Sequence, residues 1–490
     1  MPVDDPRWRQ IDAKLPQNDH ARIVERQIDR LDRASIDQLY QGVGKEPYDP
    51  VVLLKMVLYQ YLKGRRSPAT WEEEARLNEA MQWLGRGYTP ARRTWYDYRD
   101  RIGGVVEDLH QQLVHQAIDQ DHLDPTTVAQ DGTSIAACAS RHRMVNDETL
   151  RKRQQLLDEK LLDDAIDAQT PPSDRLPKWV PTTLGGRQEL AGRMTIAAEV
   201  LTERIAKNAK RSSGKRKDPA KIQVSLTDPF APLGRDKCKI FRPLYTIQYL
   251  IDPVSHLIVS YCCEASANDA GTLAPMIDKT QQIVGGRLRT VLADGAYCSI
   301  LDLRDARSRN IELLAPVSAS GSSRQCKARN GEVQIPREEF SFDAESNSYT
   351  CPQGHRLKYK DREKKSRLGG RHLYQSRYQC DASRCESCPQ ASRCLSGKSA
   401  RSIRRLEGEE LLEAQGRMME REDVKERYSL RGQTVERGFG DAKGNRCVDR
   451  FGGRGPSRAS TETGLLALAQ NVLRLDNLQR HAIIPSKQSS

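Results

Sequence analysis

Val51-Val52-Leu53-Leu54-Lys55-Met56-Val57-Leu58 is apolar almost all round, a pattern that predicts a helix buried on every side. Around it, residues 1–125 read as helical. Trp71-Glu72-Glu73-Glu74-Ala75 predicts the start of another helix, with acids in the first turn where the dipole favours them. Gly85-Arg86-Gly87-Tyr88 breaks the pattern, and Thr89-Pro90 resembles an N-cap followed by proline at the first helical position. The helix that follows, through Arg92-Arg93-Thr94-Trp95-Tyr96, is basic and aromatic. Two helices across a short turn suit a helix-turn-helix that lays Arg92 and Arg93 against DNA. A surface helix of a bundle fits the same pattern.

From Thr126 the period changes. Thr126-Thr127-Val128-Ala129-Gln130 is β-prone and ends at Asp131-Gly132-Thr133. A polar helical stretch without a clear apolar face follows from Asn146 to Ala168, then Pro171-Pro172 and the basic run Lys207 to Lys217, read together as an insertion with flexible parts. Tyr245 to Ile251 and His256 to Tyr261, separated by Asp252-Pro253-Val254-Ser255, predict a hairpin. Leu273 to Val284 predicts a helix, and Arg289 to Ala293 a strand that ends at Asp294-Gly295. Helical segments run from Ser402 to Leu475.

These patterns divide the chain into a helical DNA-binding segment (1–125), a first core segment (126–140), a polar and basic insertion (141–240) and a second core segment (241–320). A Cys-rich insertion (321–400), closing helices (401–480) and a disordered tail (481–490) follow. The fold class is α/β, a mixed sheet flanked by helices behind an all-helical N-terminal domain.

Charge narrows the partners. Lys plus Arg number 79 against 66 Asp plus Glu, a net charge of +13 that favours a polyanion, nucleic acid first. No apolar run approaches the roughly 20 residues that span a bilayer, and the start shows no signal peptide, so a cytoplasmic location is expected. Twelve cysteines in a reducing compartment read as thiols or metal ligands rather than disulfides.

Asp131 and Asp294 each end a short apolar run and each precedes a glycine. A strand end fixes a carboxylate at a sheet edge, and the glycine lets a ligand backbone come close. Hard carboxylate oxygens are what Mg²⁺ takes. Asp-Gly is also a plain turn signal. Further on, Tyr428, Arg431, Glu436 and Lys443 stand in fixed order; on a helix Glu436 and Lys443 share a face, while Val435, Phe439 and Ala442 form a packing stripe. An ordinary amphipathic helix gives the same spacing.

Asp131-Gly132-Thr133, Asp294-Gly295-Ala296-Tyr297 and the Tyr428…Arg431…Glu436…Lys443 series resemble the DDE transposases of bacterial insertion sequences, in the IS4/IS5-like group and most of all its IS1182 type. Tyr48-Asp49-Pro50, Ser225 to Pro229, Asp269, Arg446, Arg450, Arg454-Gly455 and Asn471 resemble further landmarks of that group. Arg431 and Glu436 are separated by four residues, where the IS4 pattern has three. The resemblance implies an RNase H-like core in which Asp131, Asp294 and Glu436 hold two Mg²⁺ ions, with Mn²⁺ as substitute. It implies cleavage at the element's ends and strand transfer into target DNA by a cut-and-paste route. Tyr428, Arg431 and Lys443 would grip DNA phosphates, and a homodimer would hold two ends. A nuclease without strand transfer and an inactive DNA-binding relic are the competing readings.

Cys380, Cys385, Cys388 and Cys394 fall within fifteen positions, with Cys351 and His355 upstream as substitutes. Short spacings place thiolates around one Zn²⁺ at little loop-closure cost. A polar segment with few apolar residues would need that ion to fold. Cys138, Cys262, Cys263 and Cys298 read as core residues.

Overall fold

The computed structural model describes residues 5–39, 48–166, 177–211, 213–236, 238–317, 327–366 and 371–483, without the side chains of 163–166, 215, 366, 435–437 and 482–483. The chain forms two units: residues 1–269, 278–288 and 430–490, and residues 270–277 and 289–429.

The first unit opens with α1 (Pro6–Lys14), α2 (His20–Ile28), α3 (Ala34–Gln38), α4 (Pro50–Leu62), α5 (Pro68–Leu77), α6 (Glu79–Leu84), α7 (Arg92–Ile102) and α8 (Val106–Asp119). Asp5, Asp19 and Asp49 cap α1, α2 and α4 by accepting the amides of Arg7, Ala21 and Val51 at 2.8, 2.8 and 2.9 Å. Helix α4 is buried nearly all round, as its sequence predicts. Its one buried cation, Lys55, is matched by Glu25 at 3.4 Å and Asp29 at 2.5 Å. Two helix starts differ from expectation. Helix α5 begins at Pro68, so Glu72 to Glu74 sit in its middle. Helix α7 begins at Arg92 after Ala91, not after the Thr89-Pro90 pair.

Strands β1 (Thr127–Ala136), β2 (Met144–Val145), β3 (Val224–Ser225), β4 (Leu233–Arg235), β5 (Phe241–Ile251) and β6 (Ile258–Glu264) follow, with α9 (Asp147–Ile166) and α10 (Leu184–Ala209) between β2 and β3. β5 pairs antiparallel with β1 along one edge and with β4 and β6 along the other. The predicted hairpin is thus β5–β6. Helices α9 and α10 are not a coreless insertion: Leu150 and Leu157 pack with Leu190, Met194, Ala197 and Leu201. The predicted polar stretch hides these few apolar positions among charges. Pro171-Pro172 lies outside the described residues.

The second unit takes part of α11 (Leu273–Ile283), then β7 (Thr290–Leu292), α12 (Ile300–Ser308) and β8 (Glu312–Leu314), with β7 and β8 parallel. Next come β9 (Ser341–Asp343), β10 (Ser348–Thr350), β11 (Arg356–Ser366), β12 (His372–Gln379), the short helices α13 (Ala382–Glu386) and α14 (Ala391–Cys394), and β13 (Ser402–Leu406). These five strands form one antiparallel sheet in the order β13-β12-β11-β10-β9. The Cys-rich region therefore has an apolar core of its own, with Phe340, Tyr349, Leu357, Tyr378 and Ile403 buried. The helix expected from Ser402 is preceded by β13.

Helices α15 (Glu409–Met419), α16 (Glu422–Gly440) and α17 (Pro456–Ile483) close the chain, and the boundary between the units falls within α16. Helix α17 is the spine of the first unit: Leu465, Leu466, Leu468, Val472 and Leu475 are buried. Asn471 on it accepts the Ile258 amide at 2.9 Å and donates to the Ile258 carbonyl at 2.8 Å, satisfying the outer edge of β6. No helix among the described residues is long and apolar enough to cross a membrane. Within the expected tail 481–490, residues 481–483 still belong to α17, and the rest lies outside the described residues.

Candidate active site

Asp131 stands in the middle of β1, opposite Tyr249, and the ladder runs on through Gly132 opposite Gln248. The Asp-Gly step therefore makes no turn and ends no strand, because residues Ala129 to Ala136 of the ten-residue β1 pair continuously with β5. A Cβ at Gly132 would lie 2.2 Å from Gln248 Nε2 and 2.3 Å from Asp269 Oδ1. Gln248, which donates to Asp269 at 2.5 Å, fills the space that the sequence suggested for a ligand backbone. Sequence reasoning missed Gln248; its signal was a lone amide inside an apolar strand.

Helix α16 brings cations to this strand. Arg431 Nη2 lies 3.5 Å from Asp131 Oδ1. Past Gly440 the helix widens into a π turn, Asp441–Asn445, a local irregularity common at functional sites. From that turn Lys443 Nζ donates to Thr133 Oγ1 at 2.5 Å. Between the two cations the Phe439 ring stacks on Tyr249, with centroids 4.9 Å apart. A Cβ on Gly438 would sit 2.6 Å from Ile251 Cδ1, so any larger residue there would require the end of the Ile251 side chain to shift. Glu436 lies on α16 between Arg431 and Lys443; its side chain, like that of Val435, is outside the described residues.

Asp294 belongs to the second unit. It follows β7, as predicted, and its side chain accepts the Ala296 amide at 2.8 Å at the head of a short 3-10 turn. Tyr428 is half-buried on the second-unit part of α16. Arg92 and Arg93 lead α7, where Arg92 faces Glu72 at 3.2 Å and Arg93 faces Asp97 at 3.7 Å. The outer face of α7 is thus mixed in charge rather than uniformly basic. Asp228 takes the Tyr245 hydroxyl at 2.8 Å and the Gly455 amide at 2.9 Å. Buried Arg446 joins Asp441 at 2.6 Å to the Tyr61 carbonyl at 3.4 Å, anchoring the π turn to α4.

In the second unit Cys351, His355, Cys380, Cys385, Cys388 and Cys394 line one cavity of about 30 Å³, room for a single small occupant. The His355 amide points to Cys351 Sγ at 3.2 Å. Burial and the neighbouring Cys385 thiol push Cys380 up to about 12. Among the described residues no group of three or more His, Cys, Asp or Glu is disposed to hold a metal ion. The expectation that this segment needs an ion in place of a core is corrected by the buried aromatic cluster above. Burial likewise pushes Cys262, Cys263 and Cys298 up to about 12, so these thiols stay protonated.

Two segments of the chain match family models of transposase domains. Residues 9–101 match a family described as "Transposase domain (DUF772)", and residues 350–476 match one described as "Transposase DDE domain". The second match includes Glu436 and Lys443 but neither Asp131 nor Asp294. No curated protein and no solved structure matches the chain.

Proposed function

We propose that the protein is a DDE transposase that cleaves phosphodiester bonds at the ends of an insertion sequence and joins them to target DNA. Asp131, Asp294 and Glu436 are its catalytic carboxylates, on an RNase H-like core. The observation that supports this most is the seating of Arg431 and Lys443 on β1 beside Asp131, by a helix whose residues match a DDE domain.

Asp131 and Asp294 offer the hard oxygen donors that Mg²⁺ takes, with Mn²⁺ as substitute. Bound there, divalent ions neutralise the charge that builds on the phosphate and on the departing oxygen. The chain's own residues do the positioning. Arg431 and Lys443 approach the strand from one side and hold phosphate oxygens near the cut. Tyr428 extends that grip along the same helix. Water first, and then the freed 3′-hydroxyl, attacks phosphorus in line; one P–O bond forms as another breaks, and no protein–DNA bond is made. Arg92 and Arg93 contact DNA through the N-terminal helices, and a homodimer holds the two ends.

A structural Zn²⁺ in the cysteine cavity belongs to the same reading. It draws support from five cysteines and His355 lining one small space.

The test is incubation of purified protein with DNA carrying its element's end, with Mg²⁺ and with EDTA. Cleavage in Mg²⁺ alone, and joining of precleaved ends to a second duplex, are expected. Nicking without joined product makes the protein a nuclease; DNA binding without nicking in Mg²⁺ makes it a relic.

A further inference from the structure

Where β1 ends, the chain passes through Cys138 to Arg143 beside the segment that follows the π turn. Backbone bonds tie the two: Ala136 donates to the Asp449 carbonyl at 3.1 Å, and Phe451 donates to the Ala136 carbonyl at 2.9 Å. Arg450 adds a bond to the Ala139 carbonyl at 3.3 Å, and its own carbonyl accepts from Arg66 at 2.9 Å. Asp228 fixes the next bend through Gly455 and Tyr245. Between these walls lies a pocket of about 460 Å³ lined by Arg141, His142, Arg143, Arg242, Arg450 and Arg454, with no acidic residue in the lining. Arg242 is paired with Asp236 at 2.9 Å. With Arg242 paired, Arg141, Arg143, Arg450 and Arg454 still give the lining a positive charge that no acid in it balances, and an anion is attracted to such a space. The planar guanidinium fork matches phosphate oxygens in particular.

The geometry points to a seat for the phosphodiester backbone of duplex DNA, a proposal that rests on the transposase reading and adds a second contact to it. Strand β1 connects this seat to Asp131. From Asp131 to Ala136 it advances about 17 Å at ~3.3 Å per residue.

The test compares the full-length protein with its Arg141→Ala/Arg143→Ala/Arg454→Ala variant, by fluorescence anisotropy on a labelled duplex in EDTA over a range of salt. Losing three phosphate contacts should weaken binding at every salt concentration and make the slope of log K against log[salt] shallower by about 3. Superimposable curves would overturn the seat, as would a parent protein that binds no duplex. A second measurement needs no variant. Neutral methylphosphonate linkages are placed singly along an element-end duplex; weakened binding by the parent is expected at linkages away from the cut as well as beside it. Indifference to every position overturns the proposal. Metal-free binding keeps the two readings apart. A variant that loses binding while the parent never cleaves in Mg²⁺ sinks the transposase reading alone. A parent that cleaves and a variant that binds equally well sink the seat alone.

Discussion

Lys443 and Thr133 lie 310 residues apart in the chain, and their side chains meet at 2.5 Å. That bond pins the turn after α16 to β1 two residues beyond Asp131. If this ammonium holds a phosphate oxygen, as proposed, it should matter to catalysis more than to folding. Lys443→Met is expected to lower the cleavage rate by roughly a hundredfold, the scale of one lost transition-state donor, with little change in melting temperature. A rate within twofold of the parent would remove Lys443 from the site.

The carboxylates have a different signature. Asp131→Ala, Asp294→Ala and Glu436→Ala should each abolish cleavage and strand transfer while DNA binding in EDTA stays at the parental level. Full cleavage in Mg²⁺ by any one of the three would refute its assignment.

Gly132→Ala tests the packing beneath Asp131. The added methyl would meet Gln248 Nε2 at 2.2 Å and Asp269 Oδ1 at 2.3 Å, so that hydrogen-bonded pair must move. A loss of about 1–3 kcal/mol in unfolding free energy is expected, the usual cost of overpacking. Chemical denaturation reads it directly.

His110 gives the first unit a dependence on pH. Burial, aided by the charge of Lys279, pushes its imidazole down to about 3; Asn471 stands 3.2 Å from its Nε2 and Tyr261 packs edge-on. The unfolded chain takes up that proton near the ordinary histidine value of about 6.5. Stability from this residue is therefore complete above that pH and is lost as pH falls toward 3. The slope is at most about 1.4 kcal/mol per pH unit. His110→Gln should flatten the acid limb of a stability-against-pH curve; an unchanged limb would contradict the assignment.

If the cysteine cavity holds zinc, protein purified without chelator should carry one equivalent, and Cys385→Ser should lose it. A metal-free preparation with unchanged melting behaviour would leave Cys380, Cys385 and Cys394 as packed thiols beside the sheet core.

How much of this was legible depended on how local each signal was. Helix α4 and the β5–β6 hairpin could be read because their apolar patterns are complete within themselves. The position of Asp131 could not: Asp-Gly carries a local turn preference, and only the pairing with β5, more than a hundred residues away, overrides it. The sheet of β9 to β13 was hidden for a related reason. Its strand β11 reads Arg356-Leu357-Lys358-Tyr359-Lys360-Asp361, and one buried leucine among charges shows no alternation strong enough to name a strand. At the candidate site, the order of Arg431, Glu436 and Lys443 was visible. Gln248 was not, because its role exists only where β5 passes Gly132 and Asp269.

The widened turn at Asp441–Asn445 makes this region sensitive to length as well as to chemistry. Removing a single residue between Phe439 and Lys443 would rotate everything downstream by about 100°, carrying the ammonium away from Thr133 with composition and charge almost untouched. A change of length there would displace Lys443 as surely as its substitution would remove it.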